Sequence, residues 1–218
     1  MIHPIRSVVF DFEGTLVDFQ WRLDEAEEEL RRAFVAAGHD SAGSYAELWN
    51  AAADTAAESG QLDALRRALY PIYDRWDADA ATRWSPRPGA AALLEALAMS
   101  GVATALVSNC GRAAIDSVLG RFGLERGFAA LVCRDDVRHM KPRAEGLQRA
   151  LAQLAVPAEE ALFVGDSLTD VRAARAAGMR VAIIRGGECA DAEFTALPPD
   201  FMVSHLEEVA ALAVAARA

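Results

Sequence analysis

Beyond residue 86 the chain alternates apolar runs with segments of helical period, and this alternation restricts the architecture more than any other feature. Helices are expected over residues 90–99, 113–122, 145–154, 168–177 and 206–216, the first ending at Gly101 and the fourth at Gly178. Between them stand strand-sized runs at 103–107, 129–133, 161–164, 181–184 and 201–203. Residues 5–12, with Val8, Val9 and Phe10 unbroken, add a first buried strand that ends at Asp11. Strands separated by helices of roughly 10–15 residues make an α/β fold, a Rossmann-like, doubly wound parallel sheet with helices on both faces. Ligands in such sheets bind beyond the carboxyl ends of the strands, so the chemistry is expected directly after each one.

Residues 18–86 follow a different pattern. Leu23, Ala26, Leu30, Phe34 and Ala37 recur at helical spacing, with Gly38 as a stop. Ser44 and Glu47 form a capping-box pattern opening a second helix toward Ser59. Leu62, Leu65, Leu69, Ile72 and Trp76 continue the period, and Pro71 is expected to kink or break that helix. All four tryptophans and all three tyrosines fall between residues 21 and 84, and Trp84-Ser85-Pro86-Arg87-Pro88-Gly89 reads as a linker. The expected organisation is therefore a core of residues 1–17 and 87–218 with an all-α insert at 18–86.

Composition narrows the function. With 53% hydrophobic residues the 218-residue chain has ample material for a core, which excludes disorder. A net charge of −10 repels nucleic acid and anionic lipid, so neither is an expected partner. No apolar run approaches the ~18 residues of a membrane helix. The apolar stretch at 7–10 is too short for a signal peptide and is cut off by Asp11. A cytoplasmic protein is the expectation, as a monomer or homodimer. Cys110, Cys133 and Cys189 show no metal spacing. Lys141 is the single lysine among 22 basic residues.

The strand ends carry the chemistry. The first is followed by Asp11-Phe12-Glu13-Gly14-Thr15, the second by Ser108 and Asn109, the third by a loop with Lys141-Pro142, and the fourth by Gly165-Asp166-Ser167-Leu168-Thr169-Asp170. Asp11, Asp166 and Asp170 converge with Glu13 nearby, and carboxylates so close cannot all ionise without a cation. Oxygen-only ligands indicate a hard ion, with Mg²⁺ the common choice. Ser108, Lys141 and the free N–H groups of the Gly14 turn suit a phosphoryl group, and a carboxylate beside phosphorus can act as nucleophile.

In that order and spacing, Asp11-x-Glu13-Gly14-Thr15, Ser108, Lys141 and Gly165-Asp166-x-x-x-Asp170 make the chain resemble the haloacid dehalogenase-like hydrolase superfamily along its whole length. The insert resembles the small helical cap of its phosphoglycolate phosphatase and β-phosphoglucomutase branch. The resemblance implies Asp11 as nucleophile and metal ligand, and Glu13 as acid and base, with its main-chain carbonyl on the metal. It implies Ser108 and Asn109 on the phosphate, and Lys141 as neutralising charge. Asp166 would bind the metal, and Asp170 would be ligand, water-holder or partner of Lys141. Arg22 and Arg112 are candidates for a second substrate charge.

The implied activity is a Mg²⁺-dependent phosphatase acting on a small phosphorylated metabolite through an aspartyl-phosphate. Position 13 departs from the family, whose phosphatases carry Asp there. The longer side chain keeps the proton chemistry and shifts the carboxyl by roughly 1–1.5 Å, enough to slow catalysis. Two alternatives follow from this change: a phosphomutase in which the phospho-enzyme outlives substrate exchange, and a catalytically weakened binding protein. The presence of both Asp166 and Asp170 argues against a dehalogenase. The absence of lysine from the insert argues against a phosphonatase.

Overall fold

The computed structural model describes residues 3–215. Six strands form one all-parallel sheet: β1 (Ser7–Phe10), β2 (Ala103–Val107), β3 (Ala130–Val132), β4 (Ala161–Gly165), β5 (Arg180–Ile184) and β6 (Phe201–Val203). Their order is β3-β2-β1-β4-β5-β6. The direction of winding reverses between β1 and β4, where a crevice opens at the carboxyl ends. Phe10 is level with Leu106 on one side and Val164 on the other, so the residues after all three strands emerge at one edge.

Helices α4 (Ala90–Met99), α5 (Arg112–Phe122), α6 (Glu145–Leu154), α7 (Leu168–Ala177) and α8 (Glu207–Ala215) cover the sheet. Ala216, the expected end of the last helix, lies outside the described residues. Val8 and Phe10 pack into one apolar layer with Leu97 and Val118, and Val9 and Phe163 into the other with Leu147 and Val171. Burial on both faces explains why these strands read as continuous apolar runs rather than alternating ones.

Three helices make up the insert between β1 and α4: α1 (Leu23–Ala36), α2 (Tyr45–Glu58) and α3 (Leu62–Ala81). The α2 start is capped as its sequence implies, with the Ser44 hydroxyl accepting from Glu47 N–H and the Glu47 carboxylate accepting from Ser44 N–H. α3 runs without a break through Pro71. The proline forfeits one backbone hydrogen bond. Leu69 and Tyr73, buried on either side of it, hold the helix to its neighbours.

The two linkers of the insert are zipped together. Asp18 N–H donates to the Ser85 carbonyl at 3.0 Å, and the Asp18 carboxylate accepts from Ser85 N–H at 2.6 Å. The insert is clasped onto the segment before Lys141. Asn50 exchanges two hydrogen bonds with the Met140 backbone, at 2.8 and 3.0 Å, and the Trp49 indole N–H donates to the Arg138 carbonyl. Arg134, fully buried, meets Asp77 at 2.7 Å and also bonds Asp74. Burial works against the Arg134 charge, but Asp77 and Asp74 more than offset it and hold the guanidinium protonated.

Candidate active site

Asp11 leaves β1 with its N–H bonded to the Val164 carbonyl, which fixes the β1 end against β4. Ser108 leaves β2 with its N–H bonded to the Val132 carbonyl of β3. The Lys141 Nζ lies between two carboxylates, 2.5 Å from Asp11 Oδ1 and 2.7 Å from Asp170 Oδ1. All four residues are buried. Burial alone would strip the Lys141 charge, but Asp11 and Asp170 overcome it and keep the amine protonated. For Asp11 burial wins over the lysine, and its carboxyl is raised to about 6.

Asp166 is buried beside them. Gly14 and Gly187 lie so close to its carboxylate that a Cβ at either position would collide with it. At Gly14 the backbone also has a φ of +77°, which favours glycine a second time. Thr15 donates to Asp166 Oδ1 at 3.2 Å and Glu188 N–H to Oδ2 at 2.5 Å. Burial, then Asp170 and Asp11, push its carboxyl well above the usual range.

Asp11, Asp166 and Asp170 each offer an oxygen within 4.8 Å of the others. Oxygen-only donors, with the Asp11 and Asp166 carboxyls raised chiefly by burial, fit a hard divalent cation. The three contribute unequally. Asp170 Oδ1 is taken by Lys141, and Oδ2 accepts from Asp166 N–H, Ser167 N–H and the Ser167 hydroxyl. Of its three implied roles, partner of Lys141 is the one this arrangement performs.

Glu13 is not in the acidic cluster. Its Oε1 accepts three hydrogen bonds, from Gln20 N–H at 2.8 Å, Trp21 N–H at 2.6 Å and the Trp84 indole N–H at 2.9 Å. Burial raises its carboxyl to about 7, with these donors pulling in the opposite direction. The extra methylene places the acid against both linkers of the insert, and any metal role for residue 13 is left to its main-chain carbonyl.

Asn109 is committed to positioning. Its amide nitrogen donates to the Lys141 carbonyl and the Tyr45 hydroxyl, and its oxygen accepts from Lys141 N–H. In this arrangement both N–H groups are used, and the side chain holds the Lys141 backbone at the edge of the cleft. Ser108 Oγ accepts from Cys110 N–H, which leaves its own O–H free to donate.

Neither candidate arginine reaches the cleft. Arg22 turns to Glu25 and Asp79. Arg112 bonds Asp136 and the Leu131 carbonyl, closing the end of β3. The cleft is walled instead by Phe19, Trp21, Leu23 and Tyr45 of the insert and by Glu188 after β5. About 40 Å³ is free there, room for only a few waters, so the insert is closed over the site. A larger cavity of about 320 Å³, between α3 and α5, contains none of the residues that leave the strand ends to form this cluster.

Glu188 and the aromatic wall escaped the sequence reading. Glu188 follows β5, so the strand-end rule that located Asp11 and Asp166 also reaches it. In the sequence Trp21 and Tyr45 stand only among the aromatics of the insert, and the folded arrangement shows them lining the site.

A doubly wound sheet with a buried carboxylate–lysine cluster at its switch point, covered by a helical insert between the first two strands, defines a capped α/β hydrolase. The chain belongs to the haloacid dehalogenase-like hydrolases, whose family model matches residues 5–178. It is 34% identical to the plasmid phosphoglycolate phosphatase of Cupriavidus necator, over 98% of this chain and 95% of that protein. It is 28% identical to the N-acetylmuramic acid 6-phosphate phosphatase of Pseudomonas aeruginosa, over 84% and 83% of the two chains. The fold is shared with a subfamily IA hydrolase of the same superfamily from Geobacter sulfurreducens, at a TM-score of 0.63 and 23% identity, covering 95% and 99% of the chains.

Proposed function

We propose that the protein is a Mg²⁺-dependent phosphatase that hydrolyses a small phosphorylated metabolite through an aspartyl-phosphate on Asp11. The observation that carries this reading is the buried Asp11 carboxylate itself, with Oδ1 clamped by Lys141 and an oxygen within 4.8 Å of one from Asp166. That is the arrangement a carboxylate nucleophile needs. The similarity to phosphatases with two different named substrates supports the reaction and leaves the substrate open.

Asp11 and Asp166 would hold the Mg²⁺, which when bound supplies charge neutralisation for the phosphoryl oxygens. Lys141, oriented by Asn109 and Asp170, keeps the nucleophile ionised and cancels part of the incoming phosphate charge. Ser108 donates to a phosphate oxygen. Asp11 Oδ2 forms the bond to phosphorus as the ester P–O bond breaks, and protonated Glu13 delivers its proton to the leaving oxygen. Glu13, now a carboxylate, takes a proton from the water that attacks the aspartyl-phosphate, and the Asp11–phosphorus bond breaks to release phosphate. An acid held near pH 7 serves both steps. Closure of the insert excludes bulk water, and its opening admits substrate.

Phosphate release from a panel of phosphate monoesters, with Mg²⁺ and with EDTA, tests this. The expected result is Mg²⁺-dependent turnover that Asp11→Asn abolishes while its melting curve stays cooperative. Turnover that persists in Asp11→Asn, or none on any monoester, contradicts the reading.

A further inference from the structure

The tryptophans of the insert are not alike. Trp49 donates its indole N–H to the Arg138 carbonyl, Trp76 to Glu29 and Trp84 to Glu13. Trp21 is also enclosed, only 8% exposed, yet its indole N–H has no hydrogen-bond partner among the described residues. A buried indole N–H ordinarily finds an acceptor, and leaving one unpaired costs about as much as a lost hydrogen bond. Among the described residues three other buried polar side-chain atoms lack a partner, Ser7 Oγ, Arg134 Nε and Arg180 Nε, and none of them belongs to a residue that lines the cleft. Trp21 does line it.

The residue is held in place. The Tyr45 ring lies 4.9 Å from the Trp21 ring, centre to centre, and the Tyr45 hydroxyl accepts from the Asn109 amide at 3.2 Å. The Trp21 backbone N–H bonds Glu13 Oε1 at 2.6 Å. These contacts place Trp21 on the insert side of the cleft, next to the acid that serves the leaving oxygen in the reading above. Asp11, Ser108 and Lys141, which meet the phosphoryl group in that reading, come instead from the core, after β1, β2 and β3.

We propose that the Trp21 indole N–H donates to an oxygen on the alcohol portion of the substrate, so that the site prefers phosphate esters whose alcohol carries a hydroxyl or carboxylate oxygen over plain alkyl esters. The inference rests on the phosphatase reading above and specifies its substrate class. A neutral donor serves either oxygen, and its bond to a carboxylate is the stronger of the two. An alkyl ester of the same length would meet the same ring and leave its N–H unpaired.

The test compares kcat/KM in the presence of Mg²⁺ for 2-phosphoglycolate, 2-hydroxyethyl phosphate and propyl phosphate, the last with a methyl group where the second has its hydroxyl. p-Nitrophenyl phosphate reports hydrolysis itself. The better of the two oxygen-bearing esters should exceed propyl phosphate by about 10-fold, the worth of one well-placed hydrogen bond. Which of them is better decides between carboxylate and hydroxyl. Trp21→Phe should reduce that advantage several-fold, chiefly by lowering the oxygen-bearing ester. Replacing Trp21 by 3-benzothienylalanine keeps the fused ring without its N–H, and should reduce the advantage as far, which separates the hydrogen bond from packing. Propyl phosphate used as well as the better ester overturns the inference and leaves the phosphatase intact. So does an advantage that survives the benzothienyl replacement, or an equal loss on every ester, which would put the N–H on the phosphoryl group or make the ring structural. Silence of the unmodified enzyme on all four substrates overturns the phosphatase reading, and the specificity inference falls with it.

Discussion

Glu13 reaches three N–H groups with one oxygen, two from the linker into the insert and one from the indole that opens the linker out of it. An aspartate would end one methylene short of these donors. That methylene, which by length alone would misplace the acid, joins it to the hinge in the structure. The pH dependence follows from the same contacts. Glu13 must be protonated to donate to the leaving oxygen, so kcat/KM should fall as pH rises through about 7. The Trp84 indole favours the ionised form. Trp84→Phe removes that donor and should shift the falling limb to higher pH, read from full pH–rate profiles of both proteins. An unmoved limb would mean that another group titrates. The nucleophile, the lysine and Asp166 are legible in the sequence because each follows a strand directly. The hydrogen bonds of Asn109 and the direction of Arg22 are not, because they depend on what the closed insert places opposite them.

The insert is held by a few polar contacts with buried partners. Arg134 carries no sequence signal, sitting in a short turn after β3, yet its charge is completely enclosed and relies on Asp77 and Asp74. Asp77 also accepts from Gly111 N–H at 2.9 Å, so one carboxylate ties α3 to both the start of α5 and the β3 turn. Asp77→Ala strands a buried guanidinium and should cost about 3–5 kcal/mol, measured by denaturant unfolding. A loss below about 1 kcal/mol would show that the pair contributes little to the closed form. Local patterns served well where the cause was local: the Ser44–Glu47 box and the glycine stops lie where spacing puts them. Pro71 does not break α3, because tertiary packing of the helix outweighs one missing hydrogen bond.

Across the whole molecule, the fold was readable from alternation of strand and helix, since a parallel sheet buried on both faces leaves continuous apolar runs at regular intervals. Closure of the insert was not readable, since it depends on contacts between segments far apart in sequence, such as Asn50 with Met140. The cluster of Asp11, Asp166 and Asp170 costs stability while it lacks a cation, and a divalent ion that binds only the folded form should offset that cost. At about 100 times its Kd the ion should add about 2.7 kcal/mol, seen as a rise in Tm with MgCl₂ that EDTA reverses and Asp166→Asn abolishes. A Tm indifferent to Mg²⁺ would mean the cluster holds no ion.

The central claim is a phosphoryl group carried by Asp11, and rapid acid quench followed by peptide mass spectrometry tests it most directly. During turnover of p-nitrophenyl phosphate with Mg²⁺, the peptide containing Asp11 should gain the mass of one phosphoryl group, and Asp11→Asn should gain none. Turnover with an unmodified Asp11 peptide at every quench time, or the phosphoryl group on another residue, would contradict the account.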